Sequence, residues 1–189
     1  MNKFLLAVAA SVAFLTSIIA AEHQPKDRGH LDQVERYLKS DVPRVLCLDD
    51  NFATGGQPTE QAFPKVAASG FHSVLSLRTD GEGIDLKRER ALVEKTGLRY
   101  FNISVVSTAP RAEQADEFIK LVKEKSNHPM LINCASANRV GAFMMIYRVV
   151  EQGWSEDKAM DEALKIGLRG DELKKFAQNY IAQNKSKRG

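Results

Sequence analysis

Met130-Leu131-Ile132-Asn133-Cys134-Ala135-Ser136-Ala137-Asn138-Arg139-Val140-Gly141 is an apolar strand that runs into a cysteine, a loop of small residues, an arginine and an amphipathic helix. A turn from strand to helix aims free backbone N–H groups, and the positive end of the helix dipole, at whatever sits above it. Such a field favours the thiolate of Cys134. Free cysteine titrates near ~8.5 and falls to roughly 3.5–7.5 at a helix N-terminus beside a cation. Arg139 supplies the cation, and its planar fork of donors matches two oxygens of a phosphate. The stretch reads as an anion cradle with a nucleophile in it. Cys134 and Arg139 are the expected catalytic pair, and Ala135, Ser136, Ala137, Asn138 and Val140 are expected to surround the bound anion. No glycine stands between Cys134 and Arg139, so Asn138 is expected to take the left-handed conformation that turns the loop.

Outward from this stretch, strand and helix alternate. Residues 71–77, with Val74, Leu75 and Leu77, read as a buried strand, and 85–96 as a charged helix closed by Gly97. Residues 99–106 read as the next strand. From Pro110 a helix carries a wide apolar face of Ala112, Ala115, Phe118, Ile119, Leu121 and Val122. Further upstream, 44–48 and 52–55 are joined by Asp49-Asp50-Asn51, the signal of a hairpin at a sheet edge. Gly55-Gly56-Gln57-Pro58-Thr59 then opens a helix with Thr59 as its cap and Pro64 in its first turn or at a kink. Beyond the arginine, helices are predicted over 139–152, 156–166 (capped by Ser155) and 171–183. The expected class is α/β, a central, mainly parallel sheet of about five strands flanked by helices, with right-handed crossovers. Ligands of such sheets sit beyond the carboxyl ends of the strands. The loops at 78–83, 106–110 and 134–139 all fall there.

The segment from Cys134 to Gly141 resembles the signature loop of cysteine-dependent phosphatases of the dual-specificity type. Phe52-Ala53-Thr54-Gly55-Gly56-Gln57-Pro58, the strand from Gly70-Phe71 to Leu77-Arg78, and Gly97-Leu98-Arg99-Tyr100-Phe101-Asn102-Ile103 follow in the order of a small bacterial branch. In that branch the domain also occurs fused to NAD kinases and beside β-lactamase-like hydrolases. The resemblance covers about residues 44–169. It implies attack of Cys134 on a phosphate monoester through a phosphocysteine, with no cofactor and a phosphorylated protein or small molecule as partner. Three positions depart from the pattern. Asn133 stands in place of a histidine, four residues rather than five separate Cys134 from Arg139, and Val140 replaces a hydroxyl residue that helps the cysteine leave. A four-residue spacing is also that of rhodanese-like sulfurtransferases, and a cradle without turnover would be a phosphate-binding module. The family's general acid is an aspartate in the loop corresponding to 105–110, which here holds no acid. Asp80, Glu82, Glu113 and Asp116 are the substitutes, each against the plainer reading of a solvated surface charge.

The chain has 189 residues, 43% hydrophobic and 27% charged, with a net charge of +3. That composition suits one globular domain, expected at 44–183, and excludes a nucleic-acid binder by charge. Lys3 followed by the apolar run 4–21 reads as a signal peptide over 1–21, cleaved after Ala20 or Ala21, which implies a periplasmic or secreted protein. Left uncleaved, the run would be a membrane anchor. Residues 22–43 read as a polar lead-in with Leu31, Val34 and Leu38 at helical spacing, and 184–189 as a basic tail; a monomer is expected. Cys47 lies in an apolar strand and is expected to be an inert core thiol, the alternative being a disulfide with Cys134 in an oxidising compartment. His23, His30, His72 and His128 have no metal-ligand spacing, so no metal is expected. Trp154 and Met144-Met145 read as packing.

Overall fold

The computed structural model of the protein describes residues 28–185. The expected leader at 1–21 lies outside them, as do residues 186–189 of the basic tail. The lead-in supplies α1 (Gly29–Leu38), which buries Val34 and Leu38. A hairpin follows: β1 (Leu46–Cys47) pairs antiparallel with β2 (Phe52–Gly55). Asp49 makes the turn, because its carboxylate accepts from the N–H groups of Asn51 and Phe52. The remaining elements are α2 (Ala62–Ala68), β3 (Ser73–Ser76), α3 (Leu86–Lys95), β4 (Arg99–Asn102), α4 (Ala112–Lys123), β5 (Met130–Asn133), α5 (Asn138–Val150), α6 (Glu156–Ile166) and α7 (Asp171–Lys185).

The sheet runs β1-β2-β5-β3-β4, and every pairing except that of β1 is parallel. The expected class is therefore observed. Two apolar layers cover the sheet. On one face α1, α2 and α3 bring Val34, Leu38, Phe63, Val66 and Val93 against Val74 and Leu131. On the other, α4 to α7 gather round Leu75, Ile132, Phe118, Phe143 and Ile181. Alternation along a strand sends successive side chains to opposite faces. Cys47 belongs to the first layer and Cys134 to the second, and both are free thiols. The alternative of a disulfide between them is thereby overturned. Burial first, then the nearby Glu35 carboxylate, pushes the Cys47 thiol up to about 12, as an inert core thiol requires.

The structure departs from expectation at several ends. α2 begins at Ala62 and has Gln61 at its cap position. Thr59 does not cap it; its hydroxyl is turned to the Asp41 carboxylate at 3.1 Å. The strand expected over 99–106 stops at Asn102, where the Asn102 amide turns back onto the carbonyls of Ser76 and Arg78. α6 is capped by Ser155, as expected, through the Lys158 N–H.

α5 is the buried axis of the second layer. It is covered on all sides from Arg139 to Val150, which is why its sequence is apolar around almost its whole circumference. Close approach of α6 requires Gly141. A Cβ there would lie 2.7 Å from the Ala163 carbonyl and 2.9 Å from Leu168 Cβ. Gly141→Val is expected to force α5 and α6 apart at a cost of about 1–3 kcal/mol. At roughly 2–4 °C per kcal/mol for a domain of this size, thermal unfolding followed by circular dichroism should show a lower Tm; an unchanged Tm would contradict this packing.

Candidate active site

β5 lies between β2 and β3, so the loop leaving its carboxyl end is flanked by the loops that leave theirs. Cys134 follows β5 directly and is 1% exposed. Its N–H reaches the Gly55 carbonyl at 3.4 Å, and the next carbonyl, of Ala135, accepts from the Gln57 N–H at 3.3 Å. The Gly55-Gly56-Gln57 segment is thus hydrogen-bonded along the cysteine loop. Ala135 and Ser136 face solvent, whereas Ala137 and Val140 are buried. Of the expected anion-lining residues, those two offer only their backbone. The first-turn amides of Asn138, Arg139 and Val140 have no acceptor inside the helix by position.

The residue that turns the loop is Ala137, with φ 66°, not Asn138. Asn138 instead opens α5, and its side-chain oxygen accepts from the N–H groups of Arg169 at 2.8 Å and Gly170 at 3.2 Å. Its side chain ties the loop to the α6–α7 turn. Asn133 is fully buried, and neither of its amide atoms has a hydrogen-bond partner among the described residues.

Arg139 is 3% exposed and densely held. Its Nη1 donates to the Leu77 carbonyl at 2.8 Å, the Val105 carbonyl at 2.7 Å and Glu82 Oε1 at 2.5 Å, while Nη2 donates to Glu82 Oε2 at 2.7 Å. With Nη1 saturated, the donors left are Nε–H and the second proton of Nη2, which share one edge of the guanidinium. Burial works against the charge on Arg139. The Glu82 carboxylate and the Cys134 sulfur outweigh it and raise Arg139 above the usual arginine range.

Glu82 sits in a short 3-10 turn, Asp80–Glu82, where it also accepts from the Thr79 N–H and hydroxyl. Arg78 adds a second cation: its Nε lies 2.7 Å from Glu82 Oε2, an ion pair without hydrogen-bond alignment. Arg78 also donates to the Glu82 carbonyl and to Gln57 Oε1. Burial pushes the Glu82 carboxyl up, but Arg139 and Thr79 prevail and hold it down at about 2. A carboxyl there has no proton to give at neutral pH. Glu82 is therefore not the missing general acid but the anchor of Arg139. Asp116 is engaged on α4, where its carboxylate accepts from the Tyr180 hydroxyl of α7. Asp80 and Glu113 are exposed. Among the described residues no three His, Cys, Asp or Glu gather as a metal site.

A buried cysteine between a parallel strand and a helix, with an arginine held beside it at the carboxyl end of the central strand, marks a phosphatase-like α/β protein of the dual-specificity type. Residues 30–187 match the family described as "DSP-PTPase phosphatase fused to NAD+ Kinase", and the chain belongs to that family. It is 27% identical over 113 residues to a beta-lactamase hydrolase-like protein of Xylella fastidiosa, an overlap of 57% of this chain and 25% of that protein. It is 28% identical over 86 residues to the dual specificity protein phosphatase TpbA of Pseudomonas aeruginosa, across 42% and 39% of the two chains. The chain thus spans well under half the length of these curated relatives. Its fold is similar to that of a putative phosphatase from Shewanella putrefaciens, with a TM-score of 0.68, 20% identity, and 79% and 98% of the two chains covered. TpbA in complex with pTyr is also similar, at a TM-score of 0.58 and 19% identity, over 73% and 82%.

The Arg139–Glu82 pair gives stability a pH dependence. The folded Glu82 carboxyl lies at about 2, below its usual 4.5, so its contribution is complete above the usual value and fades as pH falls from about 5 towards 2. Glu82→Gln is expected to be destabilising at pH 7 by up to ~3–5 kcal/mol, the cost of breaking a buried pair, lessened by the partial exposure of Glu82. The gap from wild type, measured by denaturant unfolding, should shrink between pH 5 and pH 2; a constant gap would contradict the pairing.

Proposed function

We propose that the protein is an exported cysteine-dependent phosphatase that hydrolyses phosphate monoesters through a phosphocysteine. The observation that carries this reading is the Cys134–Arg139–Glu82 arrangement, a buried sulfur beside a guanidinium whose other side is occupied by carboxylate and carbonyl oxygens. The apolar run 4–21 supports export, and the family supports the chemistry.

Cys134 attacks the phosphorus as a thiolate. An S–P bond forms, the P–O bond to the leaving group breaks, and the leaving oxygen takes the electron pair and then a proton from water. Arg139 binds two of the phosphoryl oxygens by its Nε–Nη2 edge, and the first-turn amides of α5 stabilise the remaining charge. Water then attacks the phosphocysteine, the S–P bond breaks and inorganic phosphate leaves. Cys134 is 1% exposed, and the ester approaches it past the solvent-facing Ala135 and Ser136. With Glu82 held anionic and no acid at 105–110, the leaving group departs without a proton donor, which favours phenols over alkyl alcohols. Val140 stands where a hydroxyl would assist the second step, so hydrolysis of the phosphocysteine is slow.

Under reductant, p-nitrophenyl phosphate should give a burst of p-nitrophenol equal to the enzyme concentration, then slow turnover. Cys134→Ser should abolish both phases, and Arg139→Lys should lower the burst rate by about 10²–10³-fold, the scale for losing a placed charge-stabilising donor. Equal rates for wild type and Cys134→Ser would refute the proposal. The four-residue spacing also supports sulfur transfer. Thiocyanate formed from thiosulfate and cyanide, with no release of p-nitrophenol, would select that chemistry instead.

A further inference from the structure

The Gly55-Gly56-Gln57-Pro58 segment that follows β2 carries one side chain for which the phosphatase reading has no use. Gln57 Oε1 accepts from Arg78 Nη1 at 3.0 Å, and its Nε2 donates to Glu89 Oε2 at 2.5 Å. Gln57 follows β2 and Arg78 follows β3, the two strands that flank β5, so their bond joins the strand exits on either side of the cysteine strand. The N–H of the same residue holds the Ala135 carbonyl. From Arg78 the contacts run on into the site. Arg78 Nε and Arg139 Nη2 each lie 2.7 Å from one atom, Glu82 Oε2. Nη2 belongs to the edge of the Arg139 fork that is left for an anion. At the other end Glu89 is buried on α3, where its Oε1 accepts from the Tyr100 hydroxyl of β4 at 2.7 Å. Burial, then the Glu89 carboxylate, pushes the Tyr100 hydroxyl above the usual tyrosine range, so it remains a donor.

Tyr100, Glu89, Gln57, Arg78, Glu82 and Arg139 thus form one continuous chain of hydrogen bonds and ion pairs. An amide suits its middle position, because one planar end presents an acceptor to the guanidinium and a donor to the carboxylate. A carboxylate there would face Glu89, a cation would face Arg78, and an apolar residue would leave both buried groups short of a partner. Gln57, Arg78 and Glu89 all border a cleft of about 330 Å³ between α2 and α3, so packing leaves one side of the link open and hydrogen bonds fix its geometry. We propose that Gln57 is a positioning residue for Arg139: through Arg78 and the shared Glu82 oxygen, it sets the direction in which the free edge of the guanidinium faces the anion. This rests on the phosphatase reading for its chemistry, and Gln57 acts only through its neighbours.

The test is the burst rate with p-nitrophenyl phosphate, measured on the full chain. Gln57→Glu sets two carboxylates against each other and should lower the rate about tenfold, equivalent to about 1.4 kcal/mol. Gln57→Glu/Glu89→Gln exchanges the two groups, so that every donor again meets an acceptor, and should restore the rate to within about twofold. In Arg139→Lys, which lacks the fork, Gln57→Glu should cost no more than about twofold, because changes acting through one group are not additive. A residue serving stability alone would give the same loss in both backgrounds. That equal loss, or an exchange that restores nothing, overturns the proposal. Should Gln57→Glu fold poorly, Tyr100→Phe weakens the chain from its far end; a loss of about threefold that vanishes in Arg139→Lys is expected, and an equal loss in both overturns the proposal. Wild type that releases no p-nitrophenol defeats the phosphatase reading alone. The affinity for vanadate, titrated calorimetrically against the same proteins, then decides the positioning by the same pattern, and an absence of vanadate binding overturns it.

Discussion

A guanidinium taken out of water must find oxygens for its protons, and the way Arg139 finds them organises this end of the molecule. Its acceptors come from three places distant in sequence: the Leu77 carbonyl after β3, the Val105 carbonyl after β4 and the Glu82 carboxylate in the intervening turn. One side chain on α5 therefore fixes the exits of β3, which neighbours β5, and of β4 beyond it. Losing any of these acceptors would leave a buried cation short of partners, which is far costlier than losing a surface ion pair. The constraint also orients the side chain. Because carboxylate and carbonyls saturate one side of the fork, what remains is the edge that a phosphoryl group needs.

Charge follows the same geometry. Glu82 receives both Arg139 and Arg78, two cations on one carboxylate, so this corner carries an excess of positive charge close to the Cys134 sulfur. Positive charge held by fixed partners in a poorly hydrated site attracts an anion without having to reorganise when it arrives. The same carboxylate, held at about 2, is barred from proton donation. One residue thereby strengthens anion binding and removes a candidate acid. On the proposed mechanism, a preference for good leaving groups and a strong cradle would share one physical cause.

Much of the fold was legible in the sequence, because periodicity reports which face an element buries. The alternation from Phe71 to Arg139 specified the parallel sheet, and Asp49-Asp50-Asn51 specified the hairpin. The placement of Cys134 between strand and helix was legible for the same reason. What escaped depends on contacts across long stretches of chain. Asn138 has the side chain expected to turn the loop, yet a turn 31 residues away claims its oxygen, and Ala137 takes the left-handed position without any propensity signal. Glu82 lies 57 residues from Arg139. The Thr79-to-Glu82 spacing announces a local cap, which the structure contains, but nothing local announces the ion pair.

The central claim is that an anion is bound between Arg139 and the Cys134 loop. Alkylation of the two cysteines by iodoacetamide, followed residue by residue by mass spectrometry with and without vanadate, tests it directly. Vanadate should slow modification of Cys134 severalfold or more in wild type and leave it unchanged in Arg139→Ala, with buried Cys47 unreactive throughout. Cys134 modified at the same rate whether or not vanadate is present would contradict the account.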